Sequence, residues 1–165
     1  MLMPTKILLA LDESTYSMNV VKYVARTVNP KDVHITILSI VPETSAAGLN
    51  NLTSAHAVHP LFQTQLQTLK GEKEQRRKLL EFVLNTAKNI LLESGIPEKN
   101  ISVQLRDKKI GVARDIIMEA QEGHYDTLVL GRRGVSGVEK FLFGSISNKV
   151  LNAVQDCTVW IVDQQ

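Results

Sequence analysis

Five short apolar runs, separated by stretches too long for hairpins, constrain this chain more than any other feature. They are Lys6 to Leu11, Val33 to Val41, Ile101 to Leu105, Thr127 to Leu130 and Thr158 to Val162. Most are rich in Ile, Val and Leu and poor in charge, as strands covered on both faces must be. The intervening stretches carry helix signals. Ser14 is placed to cap a helix from Thr15 to Val28, with Val20, Val21, Val24 and Val28 on one face and Asn29-Pro30 ending it. Leu80, Val83, Leu84, Ala87, Ile90 and Leu91 form the i, i+3, i+4 stripe of a second helix, ended by Gly95-Ile96-Pro97. A third helix runs from Gly111 to Gly123 with Ala113, Ile116, Ile117 and Ala120 inward, and a fourth covers Ile146 to Val154. This alternation predicts an α/β sandwich built on a parallel sheet with right-handed crossovers.

A chain of 165 residues is read as one domain spanning 1–165, long enough to bury a core. Its one irregular part is Pro42 to Pro60, rich in Ser, Thr, Asn, Ala and Gly, which reads as a long loop or flexible insertion. The polar stretch Leu61 to Lys78 extends the second helix, with a break expected at Gly71.

The chemistry concentrates in a glycine ladder, Gly131-Arg132-Arg133-Gly134, then nine residues, then Gly144-Ser145. It begins where the fourth apolar run stops and ends where the last helix starts. Glycines let the backbone approach a ligand closely, and a helix N-terminus offers unpaired N–H groups and partial positive charge to an anion. Arg132, Arg133 and Lys140 add cations to the same span. Gly131 as a plain strand terminator and Gly144 as a plain N-cap remain alternatives for each glycine alone. The combination points to a phosphate cradle. Ser145 reads as an N-cap whose hydroxyl also reaches phosphate, since no histidine or acid lies nearby in sequence to activate it as a nucleophile.

In open parallel sheets ligands sit beyond the carboxyl ends of the strands, where strand order reverses. Asp12 follows the first strand, and its carboxylate suits ribose hydroxyls or an adenine amino group. An acid there also serves as a simple helix cap, so both readings stand. Ile40 and Val41 end the second strand and offer an apolar wall with backbone polar groups to a base. With the ladder, these segments fit one adenosine-sized ligand.

Composition narrows the function classes. Net charge is +2, and the clusters Arg76-Arg77-Lys78 and Lys108-Lys109 are short and interleaved with acids, so they read as solvated helix faces and not as a nucleic-acid footprint. The single cysteine, Cys157, makes no internal disulfide and reads as a small buried hydrophobe in a reducing, cytoplasmic compartment. No signal peptide is read at the N-terminus, and no apolar run approaches the roughly 20 residues that span a bilayer. His56 and His59 form an H-x2-H pair, but no further ligand closes a metal set. His34 and His124 read as packed or surface residues.

Several nucleotide enzymes are excluded by missing motifs. There is no G-x4-G-K-[ST], and Asp12-Glu13-Ser14 stands where a dinucleotide fold needs G-x-G-x-x-G. Neither the His-rich nor the Ser-Gly-Gly motif of adenylyl transferases and ATP pyrophosphatases follows the first strand. Asp107 could imitate the phospho-accepting acid of a receiver domain, but no lysine stands near the fifth strand to complete it.

The spacing G-x2-G-x9-G-S resembles the nucleotide-binding signature of the universal stress protein family. The likeness covers essentially the whole chain: the strand ending at Asp12, the insertion before a long second helix, Tyr125-Asp126-Thr127-Leu128-Val129-Leu130-Gly131, and Gly144-Ser145-Ile146-Ser147 before a last apolar strand. It implies a three-layer, adenine nucleotide alpha hydrolase-like sandwich whose five-stranded parallel sheet has the order 3-2-1-4-5. It also implies ATP as cofactor, with Mg or Mn accompanying the phosphates and no protein ligand set for the metal. The site it implies comprises Ala10, Asp12 and Ile40 at the adenosine end. Leu130, Gly131, Arg132, Arg133, Gly134, Gly144, Ser145 and Ile146 surround the ribose and phosphates, and no residue is catalytic. Cys157-Thr158-Val159 stands where the family often has Cys-Pro-Val, and Trp160 where an aliphatic residue is usual.

In that strand order Thr158 to Val162 lies at the sheet's edge, where an uncovered apolar strand invites pairing. A homodimer through Val159, Trp160, Ile161 and Val162 is expected; packing of Trp160 against its own helices alone is the alternative. The function expected is that of an ATP-binding, stress-response regulator without nucleic-acid or membrane partners. A slow ATP hydrolase or autophosphorylating enzyme using Ser145 or a neighbouring hydroxyl, and a nucleotide-independent scaffold, are the alternatives.

Overall fold

The computed structural model describes residues 4–42, 71–132 and 143–163. Five strands form one parallel sheet: β1 (Thr5–Ala10), β2 (Val33–Val41), β3 (Ile101–Asp107), β4 (Thr127–Gly131) and β5 (Thr158–Val162). Their spatial order is β3-β2-β1-β4-β5, the order that the ladder resemblance implies. Four helices complete the layers: α1 (Ser17–Thr27), α2 (Glu72–Glu93), α3 (Val112–Glu122) and α4 (Ser145–Ala153). A short 3-10 turn, Glu98–Asn100, leads into β3.

The period of two along β1 divides the core. Ile7, Leu9 and Leu11 point into an apolar layer with Val20, Val21 and Val24 of α1 and Leu79, Val83, Leu84, Ala87 and Leu91 of α2. Leu8 and Ala10 point the other way, against Ala113, Ile116 and Ala120 of α3 and Val150 of α4. Both faces of β1 are thus dry, which is why the run carries no alternation of polar residues.

The strand order sets the place of a site. The crossovers through α1 and α2 cover one face, and those through α3 and α4 cover the other. The chain leaves β1 and β4 in opposite directions, and adjacent strands that diverge in this way leave a crevice at their carboxyl ends. Ala10 lies beside Leu38, so the continuing chain brings Asp12 level with the end of β2.

Two element boundaries differ from the sequence expectation. Helix α1 starts at Ser17, with Tyr16 at the cap position and no side-chain cap bond, so Ser14 is not its N-cap. Ser14 instead donates its backbone N–H (3.0 Å) and its hydroxyl (2.5 Å) to Asp12 Oδ1, which holds it in the turn before the helix. Helix α2 takes Gly71 as its cap, at φ +81°, a left-handed conformation that suits glycine. The expected break at Gly71 is therefore the helix start. Residues 43–60 of the insertion and 61–70 of the polar stretch lie outside the described residues, as do His56 and His59.

At the opposite sheet edge, Asp107 is held by Lys73 (3.0 Å) and Arg77 (2.8 Å), which pin the start of α2 to the end of β3. No described helix is long and apolar enough to cross a membrane.

Candidate functional site

The carboxyl ends of β1, β2 and β4 and the N-terminus of α4 surround a cleft of about 250 Å³. Eight residues anticipated from the sequence line it: Ala10, Asp12, Ile40, Leu130, Gly131, Gly144, Ser145 and Ile146. They come from four separate segments, and the parallel sheet is what brings them together.

Asp12 organises the floor of the cleft. Its Oδ1 accepts from the Ser14 N–H and hydroxyl and lies 2.8 Å from Ser17 Oγ, which is also 2.7 Å from the Asp12 carbonyl oxygen. The capping and cleft readings of Asp12 therefore merge: the carboxylate shapes the turn into α1 and also lines the cleft.

The ladder's two described ends are tied together. The Gly144 N–H donates to the Arg132 carbonyl at 2.8 Å, and Ser147 Oγ donates to the Gly131 carbonyl at 2.7 Å. Helix α4 then begins at Ser145. Gly144, its cap residue, has no side chain, and the helix has no side-chain cap bond. The first N–H groups of a helix have no partner within it. In α4 they belong to Ser145, Ile146 and Ser147, all of which line the cleft.

Arg132 does not line the cleft; its guanidinium forms an ion pair with Asp163, just past the end of β5. Arg133, Gly134 and Lys140 lie outside the described residues. Cys157 is half-buried against the α3/α4 layer, less enclosed than expected. His34 and His124 are exposed and stand away from the cleft lining. Among the described residues no group of three His, Cys, Asp or Glu side chains could hold a metal ion.

Sequence reasoning missed two charged residues of the cleft, Glu13 and Arg76. Arg76 does not belong to a solvated face. It reaches from the first turns of α2 to the β1–α1 turn, where its Nη2 forms an ion pair with Glu13 Oε1. The two side chains are 13% and 2% exposed, and both border the cleft. The Arg76 Nε is buried with no acceptor among the described residues. Glu13 was visible as a second acid beside Asp12, but nothing local in the sequence pairs it with a residue so far along the chain.

Burial pushes the Glu13 carboxyl up to about 7, helped by the neighbouring Asp12 carboxylate and opposed by Arg76. The folded protein therefore binds a proton more readily here than the unfolded chain does. Stability from this group is fully present below the unfolded value of 4.5, declines as pH rises and is lost above about 7. The loss amounts to a few kcal/mol, at ~1.4 kcal/mol per pH unit. Urea unfolding across this range should show the decline in the wild type and its removal in Glu13→Gln. Parallel pH profiles for the two proteins would contradict it.

The comparisons with known proteins agree with this fold. The model of the universal stress protein family matches residues 3–163. The chain belongs to that family. The Bacillus subtilis universal stress protein YxiE is 27% identical over 158 residues, covering 95% of this chain and 97% of its own. The solved universal stress protein UspA from Lactobacillus plantarum superposes with a TM-score of 0.69 at 17% identity, covering 98% of this chain and 99% of its own. A structure of the Archaeoglobus fulgidus universal stress protein in complex with dAMP gives a TM-score of 0.60 at 16% identity, covering 98% of both chains. At these identities the two solved structures establish the shared fold.

Proposed function

We propose that this universal stress protein binds ATP in the cleft at the ends of β1, β2 and β4, and acts as a nucleotide-dependent stress-response regulator. The observation that carries the reading is the N-terminus of α4. Its cap residue Gly144 carries no side chain, and the helix end opens on the same cleft as Asp12 and Ile40. Such an end attracts phosphate through its N–H groups and dipole. Solved structures in the family hold cAMP, AMP and dAMP, which supports an adenine nucleotide as the ligand class.

In this reading Ala10, Asp12 and Ile40 take the adenosine end, and Leu130, Gly131, Gly144, Ser145 and Ile146 enclose the ribose and phosphates. Arg133 and Gly134 extend the cradle by resemblance, and the Arg132 carbonyl, which accepts the Gly144 N–H, ties the two ends of the ladder together behind it. Mg or Mn arrives with the phosphates and draws its ligands from them. The protein grips the nucleotide, and its state passes to a partner protein. The chain works as one domain in the cytoplasm, apart from nucleic acid and membranes.

Calorimetric titration with ATP, AMP and GTP tests the reading. ATP and AMP should bind with dissociation constants well below ~1 mM, where binding free energy exceeds about 4 kcal/mol. GTP should bind more weakly. ATP binding no tighter than that limit contradicts the proposal and favours the scaffold alternative.

We also propose that two copies pair through β5. The strand closes one edge of the sheet, and Val159, Trp160, Ile161 and Val162 remain only half-buried. Trp160 does pack on its own α1, edge-on to Tyr23 with ring centroids 6.2 Å apart and planes at 86°. Among the described residues no further strand pairs with the outer side of β5. Sedimentation equilibrium should give twice the chain mass of 18.4 kDa. A mass equal to a single chain contradicts pairing.

A further inference from the structure

The buried Glu13–Arg76 pair belongs to no part of the ladder, yet it forms one wall of the cleft. An arginine stays charged throughout the physiological range, so Glu13 is the member of the pair that titrates. Among the described residues lining the cleft, only Asp12, Glu13 and Arg76 carry charge. With both carboxylates ionised, the three side chains together present one negative charge to an entering anion. With Glu13 protonated they present none, and the Arg76 guanidinium is left to act on the ligand.

We propose that Glu13 and Arg76 form a proton-coupled wall of the nucleotide cleft, so that a phosphate-bearing ligand binds with protonation of Glu13 and binds more tightly as pH falls. The inference rests on the reading that this cleft takes a nucleotide. Two effects act in the same direction. The ligand's negative charge disfavours a second carboxylate beside Asp12, and a ligand in the cleft displaces the nearby water that screens a carboxyl only 1% exposed itself. Arg76 opposes both, and a ligand phosphate that draws on its guanidinium weakens that opposition.

The described elements around Glu13 fit this account. Asp12 precedes it in the same turn, and α2 contributes Arg76. Arg77 on the same helix turns away to Asp107, together with Lys73. Among the described residues, those that β2, β4, α3 and α4 contribute to the cleft lining carry no titratable side chain. The position of Glu13 near pH 7, set chiefly by burial, places the coupling within the physiological range. Binding and protonation are reciprocal: if protonation tightens the ligand, the ligand must raise proton affinity by the same factor.

The test uses cAMP, whose phosphodiester keeps a single charge across the range, because AMP and ATP lose a proton from phosphate near pH ~6 and would mask the effect. Calorimetry of the full chain should show cAMP binding about threefold to tenfold more tightly at pH ~6 than at pH ~8, the size expected for one charge acting at cleft distances. Titrations in buffers of different ionisation enthalpy should show net proton uptake near pH ~7. Glu13→Gln should lose both the pH dependence and the uptake. In the wild-type protein, the carbon-13 signal of the Glu13 carboxyl should titrate at higher pH with cAMP bound, a readout that does not depend on the variant's folding. Affinity and a Glu13 titration that ignore each other, or pH dependence that survives in Glu13→Gln, overturn the proton coupling alone. Failure of cAMP, AMP and ATP to bind at either pH overturns the nucleotide reading, and the coupling with it.

Discussion

Gly144→Val should weaken ATP binding at least ~100-fold, about 2.7 kcal/mol, while the protein stays folded. The backbone at Gly144 has φ −64° and ψ 159°, an extended conformation that any residue adopts. Valine there imposes no backbone strain, and a branched residue in place of a glycine cap costs at most ~1 kcal/mol of stability. Gly144 lines the cleft next to Ser145 and Ile146, so bulk added at this position crowds the wall against which the proposed site sets phosphate. Calorimetry reports the affinity, and urea unfolding reports the fold. Wild-type binding in a folded Gly144→Val protein contradicts the cradle assignment.

Leu9→Ala should lower the unfolding free energy by about 3 kcal/mol, within the range of roughly 2–5 kcal/mol for buried leucines. Leu9 is fully buried in the central strand, paired to Ile37 on one side and Val129 on the other, and it packs into the α1/α2 layer. The removed atoms leave a cavity that two neighbouring strands prevent from closing. Val103→Ala on the edge strand β3, where the side chain is 41% exposed, should cost less than about 1 kcal/mol. Urea midpoints of the two variants check the contrast, and equal losses would contradict the assigned core. Because β1 carries Asp12 at its end, loss of this packing also loosens the cleft floor.

The fold was largely legible because its signals are local. The runs Val33 to Val41 and Thr158 to Val162 coincide with β2 and β5, since continuous apolar stretches bounded by turn residues have few other uses. The α2 stripe likewise names most of its buried face, with Leu79 added. The start of α1 was misread because Ser14 had two possible partners, the helix N–H groups and the Asp12 carboxylate. The shorter path to Asp12 wins.

The candidate site was legible where it follows strand ends and glycines, and illegible where it depends on distance. Gly131, Gly144 and Ser145 announce themselves by spacing. Arg76 does not, because it sits in a polar run beside Arg77 and Lys78, and only the fold separates their fates. Arg77 meets Asp107, Lys78 meets Glu81 and Glu74 on its own helix, and Arg76 turns inward to Glu13. A charge stripe in sequence records which residues are polar, and helix rotation decides which of them is buried.

Titration of nitrogen-15-labelled protein with AMP tests the central claim most directly, since it reports where the ligand sits as well as whether it binds. The account predicts saturable amide shifts at Asp12, Ile40, Gly131 and Gly144 to Ile146, the segments that converge on the cleft. Shifts confined instead to the groove between Tyr23, Arg26 and Trp160, or no saturable shifts at all, would contradict it.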